Sequence, residues 1–340
     1  MFFIDKYGVH SEDDTLMFHE DSLNILKVMA EDDSVPHIIF YGPEGAGKKA
    51  VIDKFLEMLY GPTVHKTNEI EYIVTGSGNN SSVLMIKQSN FHIVIEPNNN
   101  NFDRYMIHDI VKDYAQKVPL QFIKSNRSFK TVLINNVDNM SYYAQTSLRR
   151  TMEKYSHSCR FIMRSQSLSR VIDPLRSRCF CFRITPPTDI DIMKALCILC
   201  ANEEIEMSFK SLLEIIEHSH GNIKEAMWLL ELFYRTGEKV PFYKRLISRI
   251  VDQILELDLD KIKDIRLLFY RLMTSNISET RIVRMILDDL IFRENINIKA
   301  LEVIVDKGAT YEHRLVMSRR QIFQLDAFVV SIMKAVSDMQ

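Results

Sequence analysis

The chain has 340 residues, 46% hydrophobic and 26% charged, with a net charge of −2; this composition belongs to a globular protein, and the length predicts two or three domains. No apolar run is long enough to cross a bilayer, the N-terminus carries no signal-peptide pattern, and the five Cys are expected to stay reduced, which argues against a membrane, secreted or disulfide-built protein. The small net charge hides an asymmetry: residues 1–100 hold 7 Lys and Arg against 15 Asp and Glu, whereas residues 101–187 hold 15 against 6, so the basic segment either meets a localised anionic partner or pairs with the acidic first hundred residues.

Phe2-Phe3-Ile4-Asp5-Lys6-Tyr7 opens the chain and leads into acidic, turn-like sequence up to Asp14. Leu23, Leu26 and Met29 recur at helical spacing and predict a helix over Met17–Ala30. His37-Ile38-Ile39-Phe40 reads as a strand, and Val51–Tyr60 as a helix stopped by Gly61-Pro62. Two β-rich runs within Glu71–Gln88 flank Gly76-Ser77-Gly78-Asn79-Asn80, a hairpin signal. Strands follow at Phe91–Ile95, Phe129–Ile134, Cys159–Met163 and Cys179–Ile184, alternating with helices at Asp103–Gln116 and Ser141–Tyr155. Five short apolar strands interleaved with helices predict an α/β fold, a parallel five-stranded sheet covered on both faces, over residues 1–187. From Thr188, a helix cap, strand signals vanish. A helix running to Cys200 and two more at Phe209–His218 and Ile223–Tyr234 predict a small three-helix unit, residues 188–237. Residues 238–340 predict an all-α bundle with helices at Tyr243–Leu257, Ile262–Met273, Ile282–Phe292 and Ile322–Met339.

Between the first strand and its helix stands Gly42-Pro43-Glu44-Gly45-Ala46-Gly47-Lys48-Lys49. Strand, Gly-rich turn and helix form the setting of a phosphate-binding loop. The glycines let backbone N–H groups face a phosphate, Lys48 reaches the outer phosphates, and the helix directs its positive end at them. The next position should carry Ser or Thr to hold Mg²⁺, and here it is Lys49. A working NTPase also needs acids at the end of a later strand, one for the metal and one to activate water. The strand ending at Ile134 is followed by Asn135 and Asn136, and an amide neither acts as a base nor offsets a cation. Asp138 lies further along and reads as a cap for the next helix. The loop is therefore expected to hold ATP or ADP without hydrolysis and with little use for Mg²⁺. Cys179 and Cys181 alternate along a strand and Cys197 and Cys200 lie in an apolar helix, so a zinc quartet is not expected and no metal site is assigned.

Several motifs occur in a fixed order: Ile4-Asp5-Lys6-Tyr7, the Tyr41–Lys48 loop, Ser147-Leu148-Arg149-Arg150-Thr151-Met152-Glu153-Lys154-Tyr155, Ser177-Arg178-Cys179 and Tyr311-Glu312-His313-Arg314-Leu315. With them the chain resembles the small subunits of replication factor C, the eukaryotic sliding-clamp loader of the AAA+ class, most of all the one whose own ATPase site is degenerate. The resemblance implies a nucleotide domain, a helical lid and a collar that joins five different subunits. It also implies partners: the other loader subunits, the sliding clamp and primer–template DNA, in a nucleus or in a viral or cytoplasmic replication compartment, and no membrane. It assigns Arg178 the role of an arginine finger acting in trans on a neighbour's nucleotide. Arg149 and Arg150 match a pair near the subunit interface, and Lys224 stands where the family usually has an Arg in the lid. Gln166 replaces a sensing Asn, and Gly8-Val9 replaces Arg-Pro. Arg104, Lys112 and Ser141, on two helices of the basic segment, are expected to meet DNA phosphates. Two alternatives stay open: an active ATPase, and a scaffold that binds no nucleotide.

Overall fold

The computed structural model describes residues 2–7, 18–32, 35–75, 81–97, 103–116, 129–293, 297–318 and 320–338. The hairpin turn Gly76–Asn80 and the Gly8-Val9 pair lie outside them. The chain divides into two units, Met1–Gly237 and Glu238–Gln340.

The first unit is built on strands β1 (Ile38–Tyr41), β2 (Asn68–Thr75), β3 (Ser81–Gln88), β4 (His92–Ile95), β5 (Lys130–Ile134), β6 (Cys159–Ser165) and β7 (Phe180–Arg183), in the order β2-β3-β4-β5-β6-β1-β7. The five expected strands run parallel, with Ile38 beside both Ile162 and Phe180, and Ile95 beside Ile134. The sheet has seven strands among the described residues, because the hairpin joins the β4 edge antiparallel, Gln88 opposite Ile93. The reason is visible in burial. All five residues of β5 are buried, as a strand covered on both faces requires. In the hairpin Tyr72, Val74, Leu84 and Ile86 turn inward, while Ile73, Val83 and Met85 are exposed. A ribbon with one apolar face gains most by extending an existing sheet.

Period-two alternation splits the core between the faces. Ile39, Ile93, Val132, Ile134 and Phe161 meet α4 (Asp103–Gln116) and α5 (Tyr142–Lys154) on one side. Ile38, Phe40, Leu133 and Ile162 meet α2 (Glu20–Glu31) and α3 (Lys48–Tyr60) on the other. Inside α5, Gln145 is 2% exposed. Its amide donates to the carbonyls of Met140 (3.2 Å) and Arg170 (3.0 Å), and its oxygen accepts from Ile172 N–H at 2.9 Å. It thus ties α5 to the segment carrying α6 (Asp173–Arg176). Gln145→Leu keeps the volume and orphans these groups, so unfolding in urea should show a loss of about 1–3 kcal/mol.

Thr188 and Asp191 form a reciprocal capping box at the start of α7 (Asp189–Asn202). Ser208 caps α8 (Phe209–Ser219) and Asn222 caps α9 (Ile223–Thr236). Ile192, Leu196, Ile215, Ala226 and Leu230 close a separate small core, and Phe3 joins it from the other end of the unit. The helical turn α1 (Phe3–Lys6) is anchored there because Phe3 N–H donates to the buried Glu231 carboxylate at 3.0 Å and Tyr7 donates to Glu203.

The second unit contains α10 (Phe242–Leu255), α11 (Ile262–Thr274), α12 (Glu279–Ile291), α13 (Ile298–Met317) and α14 (Gln321–Ser337), packed around Ile250, Phe269, Ile286, Phe328 and Ile332. α13 is a 20-residue helix that the apolar pattern did not predict. Its buried positions are few: Ala300, Ile304, Gly308 and Leu315. A Cβ on Gly308 would lie 2.5 Å from Leu287 Cδ1, so α12 and α13 approach through a position with no apolar signal. No described helix is long and apolar enough to cross a membrane.

Candidate functional site

β1 delivers the chain into the loop Gly42–Gly47, and α3 begins at Lys48. Gly45 and Gly47 have φ of 76° and 80°, the left-handed region that the curl demands. No acid lies in the first turn of α3 and no side chain caps it, so its leading N–H groups are available to an anion. Lys48 is 8% exposed, its Nζ donating to Gly42 O (2.7 Å) and Pro43 O (2.6 Å). Burial pushes its ammonium below the usual pKa and Arg164 adds to this, against the opposing pull of Asp138 and Glu44. Lys49 is exposed. Two groups with no sequence signal brace the loop. The His19 ring donates to Ala46 O at 2.9 Å. Asn222 lies so close that a Cβ on Gly45 would come within 1.9 Å of its Oδ1, so the loop touches the start of α9. Lys224, in the first turn of that helix, is exposed with its Nζ over the Trp228 ring, 4.7 Å from the centroid.

At the C-terminal ends of the parallel strands the two amides are engaged in opposite senses. Asn135, 8% exposed, donates to Glu96 Oε1 at 2.9 Å. Asn136, in left-handed backbone with φ 50°, accepts from Arg164 Nη2 at 3.2 Å. Glu96, directly after β4, is an acid that the sequence expectations do not include; a lone carboxylate closing an apolar strand is its signal. Asp138 does not cap the next helix. Ser141 does, its hydroxyl accepting from Ala144 N–H at 3.3 Å, while Asp138 accepts the Gln166 N–H at 3.1 Å and ties the end of β5 to that of β6. With Lys48, Lys49 and Arg164 here, the donor set fits a phosphate. At Asn136 an amide holding a guanidinium stands where a divalent cation would call for a carboxylate. Among the described residues no group of three His, Cys, Asp or Glu could hold a metal, and the five Cys are free.

Arg178 follows α6, exposed, with Nε 2.8 Å from Glu153 Oε1 and Nη1 donating to Pro174 O at 2.8 Å. The same Glu153 lies 3.9 Å from Arg149 Nε. Arg150 turns elsewhere: it lines a cavity of about 750 Å³ between α4 and α5 together with Arg104, Lys112 and Lys154. The structure therefore gathers two residues expected on DNA and one expected at an interface around a single space. Lys154 and the aromatic neighbour Tyr143 were overlooked.

A mixed sheet of five parallel strands and a hairpin, with a Gly-rich loop after β1 that touches the start of α9, defines an AAA+ nucleotide-binding module. Two family models divide the chain: "DNA polymerase III, delta subunit" matches residues 18–188 and "Replication factor C subunit 3, C-terminal domain" matches residues 243–340. A chain named as a replication factor C small subunit in Acanthamoeba polyphaga mimivirus is 33% identical, covering 98% of this chain and 91% of that one. Replication factor C subunit 5 of Neurospora crassa is also 33% identical (97% and 96% covered), and subunit 3 of Homo sapiens is 30% identical (97% and 94%). The chain belongs to the replication factor C small subunits, the clamp-loader family of DNA replication.

Proposed function

We propose that this chain is a structural and regulatory subunit of a hetero-pentameric clamp loader, holding ATP or ADP without hydrolysing it and supplying Arg178 to a neighbour's nucleotide. Its other partners in this reading are the sliding clamp and primer–template DNA, the latter met by Arg104, Lys112 and the start of α5 at Ser141. The observation that carries the reading is Asn136: where a catalytic acid belongs, an amide holds Arg164. Absence of a base alone costs roughly 10²–10⁴-fold in rate. Lys48, Lys49 and Arg164 supply the positive charge that Mg²⁺ otherwise brings to the phosphates.

A second reading, a working ATPase, is favoured by one observation, the Glu96 carboxylate beside Asn135. The test is phosphate release by the purified chain, with nucleotide retention measured in EDTA. The proposal expects negligible release and nucleotide that survives EDTA. Turnover abolished by Glu96→Gln would establish the second reading, and a chain that binds no nucleotide in either condition would overturn both.

A further inference from the structure

We propose that the cavity between α4 and α5 is a pocket for one unpaired nucleotide of single-stranded DNA, with Arg104, Lys112, Arg150 and Lys154 on its phosphates and Tyr143 stacked on its base; this rests on the reading of the basic segment as a DNA-contacting surface. Four features carry it.

The first is charge. Four cations and no acid line the cavity, and none of the four has an ion-pair partner among the described residues. Arg178 and Arg266 are each held by a carboxylate. Like charges around one space repel, and an anion entering it relieves that repulsion. The second is size. A cavity of about 750 Å³ falls within the range of small-molecule pockets and is large enough to take one nucleotide. The third is aromatic surface. Tyr143, in the first turn of α5, is 71% exposed, a large ring left on a polar surface at the cavity wall. A ring beside cations is the arrangement that holds single strands, where stacking takes any base and the cations take the backbone. In a duplex the base faces are already covered, so Tyr143 has nothing to stack on. The fourth is an unsatisfied group. The Tyr155 hydroxyl, on a lining residue whose ring carries Lys154 Nζ 5.4 Å from its centroid, is buried with no hydrogen-bond partner. Such an orphan is costly, and it leaves a hydrogen-bond donor without an acceptor on a residue that lines the cavity.

The full chain is titrated with a twelve-nucleotide single strand carrying a central 2-aminopurine, and with the matching duplex, by anisotropy and 2-aminopurine fluorescence. The expected result is quenching on the single strand. Tyr143→Ala should weaken single-strand binding roughly 5- to 150-fold, the range of one stacked base, with duplex binding unchanged and Tyr143→Phe restoring the wild-type affinity. Arg150→Gln and Lys154→Gln should each lower the log–log salt slope on the single strand by about 0.7. If Tyr143→Ala binds the single strand as wild type does while Arg150→Gln and Lys154→Gln weaken both DNAs equally, the surface reads phosphates only. The pocket is then wrong and the DNA-contact reading stands. If neither DNA binds, both are wrong.

Discussion

Arg178→Ala should leave the subunit folded and able to join the ring, yet lower ATP turnover at the one adjoining site by roughly 10³–10⁵-fold, the contribution of an arginine supplied in trans to phosphoryl transfer. The side chain is exposed and anchored by Glu153 and Pro174 O rather than by the core, so removing it opens no cavity. Its backbone is fixed: Arg178 N–H donates to Leu175 O at 3.1 Å, and β7 follows two residues later. In the proposed role the guanidinium would exchange Glu153 for the neighbour's γ-phosphate, keeping its two-pronged geometry. Arg178→Lys should recover only part of the rate, because an ammonium restores charge without the fork. The measurement is DNA- and clamp-stimulated ATPase of complexes reconstituted with each variant. Wild-type turnover in an assembled Arg178→Ala ring would make Arg178 an ordinary surface residue.

Acid should destabilise the first unit through two histidines, the buried His92 and the half-buried His37. His37 accepts the Phe161 N–H on Nδ1 at 3.1 Å, and burial together with Arg160 holds its pKa at about 4. His92, hydrogen-bonded to Ser89 Oγ at 2.7 Å, is lowered to about 4 by burial, with His65 adding to it. Both folded values lie below the unfolded one of about 6.5, so below that pH the unfolded chain binds protons the folded one refuses. Stability is complete above pH 6.5 and falls as the pH drops toward 4. At pH 4.5 the loss should be about 2–3 kcal/mol for each histidine. Denaturant unfolding at pH 7 and pH 4.5 measures it, and His37→Gln with His92→Gln should remove that part of the pH dependence. An equal pH response in wild type and double variant would show that carboxylates alone drive the acid loss.

Much of the architecture was legible in the linear chain because it rests on local physics. The run His37–Phe40, the glycines of the loop and the helix behind them declare themselves by periodicity and backbone freedom, and Thr188 announces its capping box. That two amides, Asn135 and Asn136, follow the buried strand ending at Ile134 is likewise read directly from the chain. α13 escaped notice because its contacts are made by Ala300 and Gly308, whose burial follows from close helix approach rather than from apolar bulk.

What only the tertiary structure decided is who meets whom. Nothing near Asn135 in sequence points to Glu96, and nothing near Asn136 to Arg164; parallel pairing brings those strand ends together. His19 reaches the loop across 27 residues, and Phe3 reaches Glu231 across 228. Arg104, Lys112, Arg150 and Lys154 read as scattered charges on two helix patterns, and they line one cavity only when α4 and α5 lie side by side on the sheet. Secondary structure is written in spacing, which a chain carries along its length. The chemistry of a site depends on distances between side chains far apart in sequence, and those are set by how the apolar faces of the sheet and its helices pack.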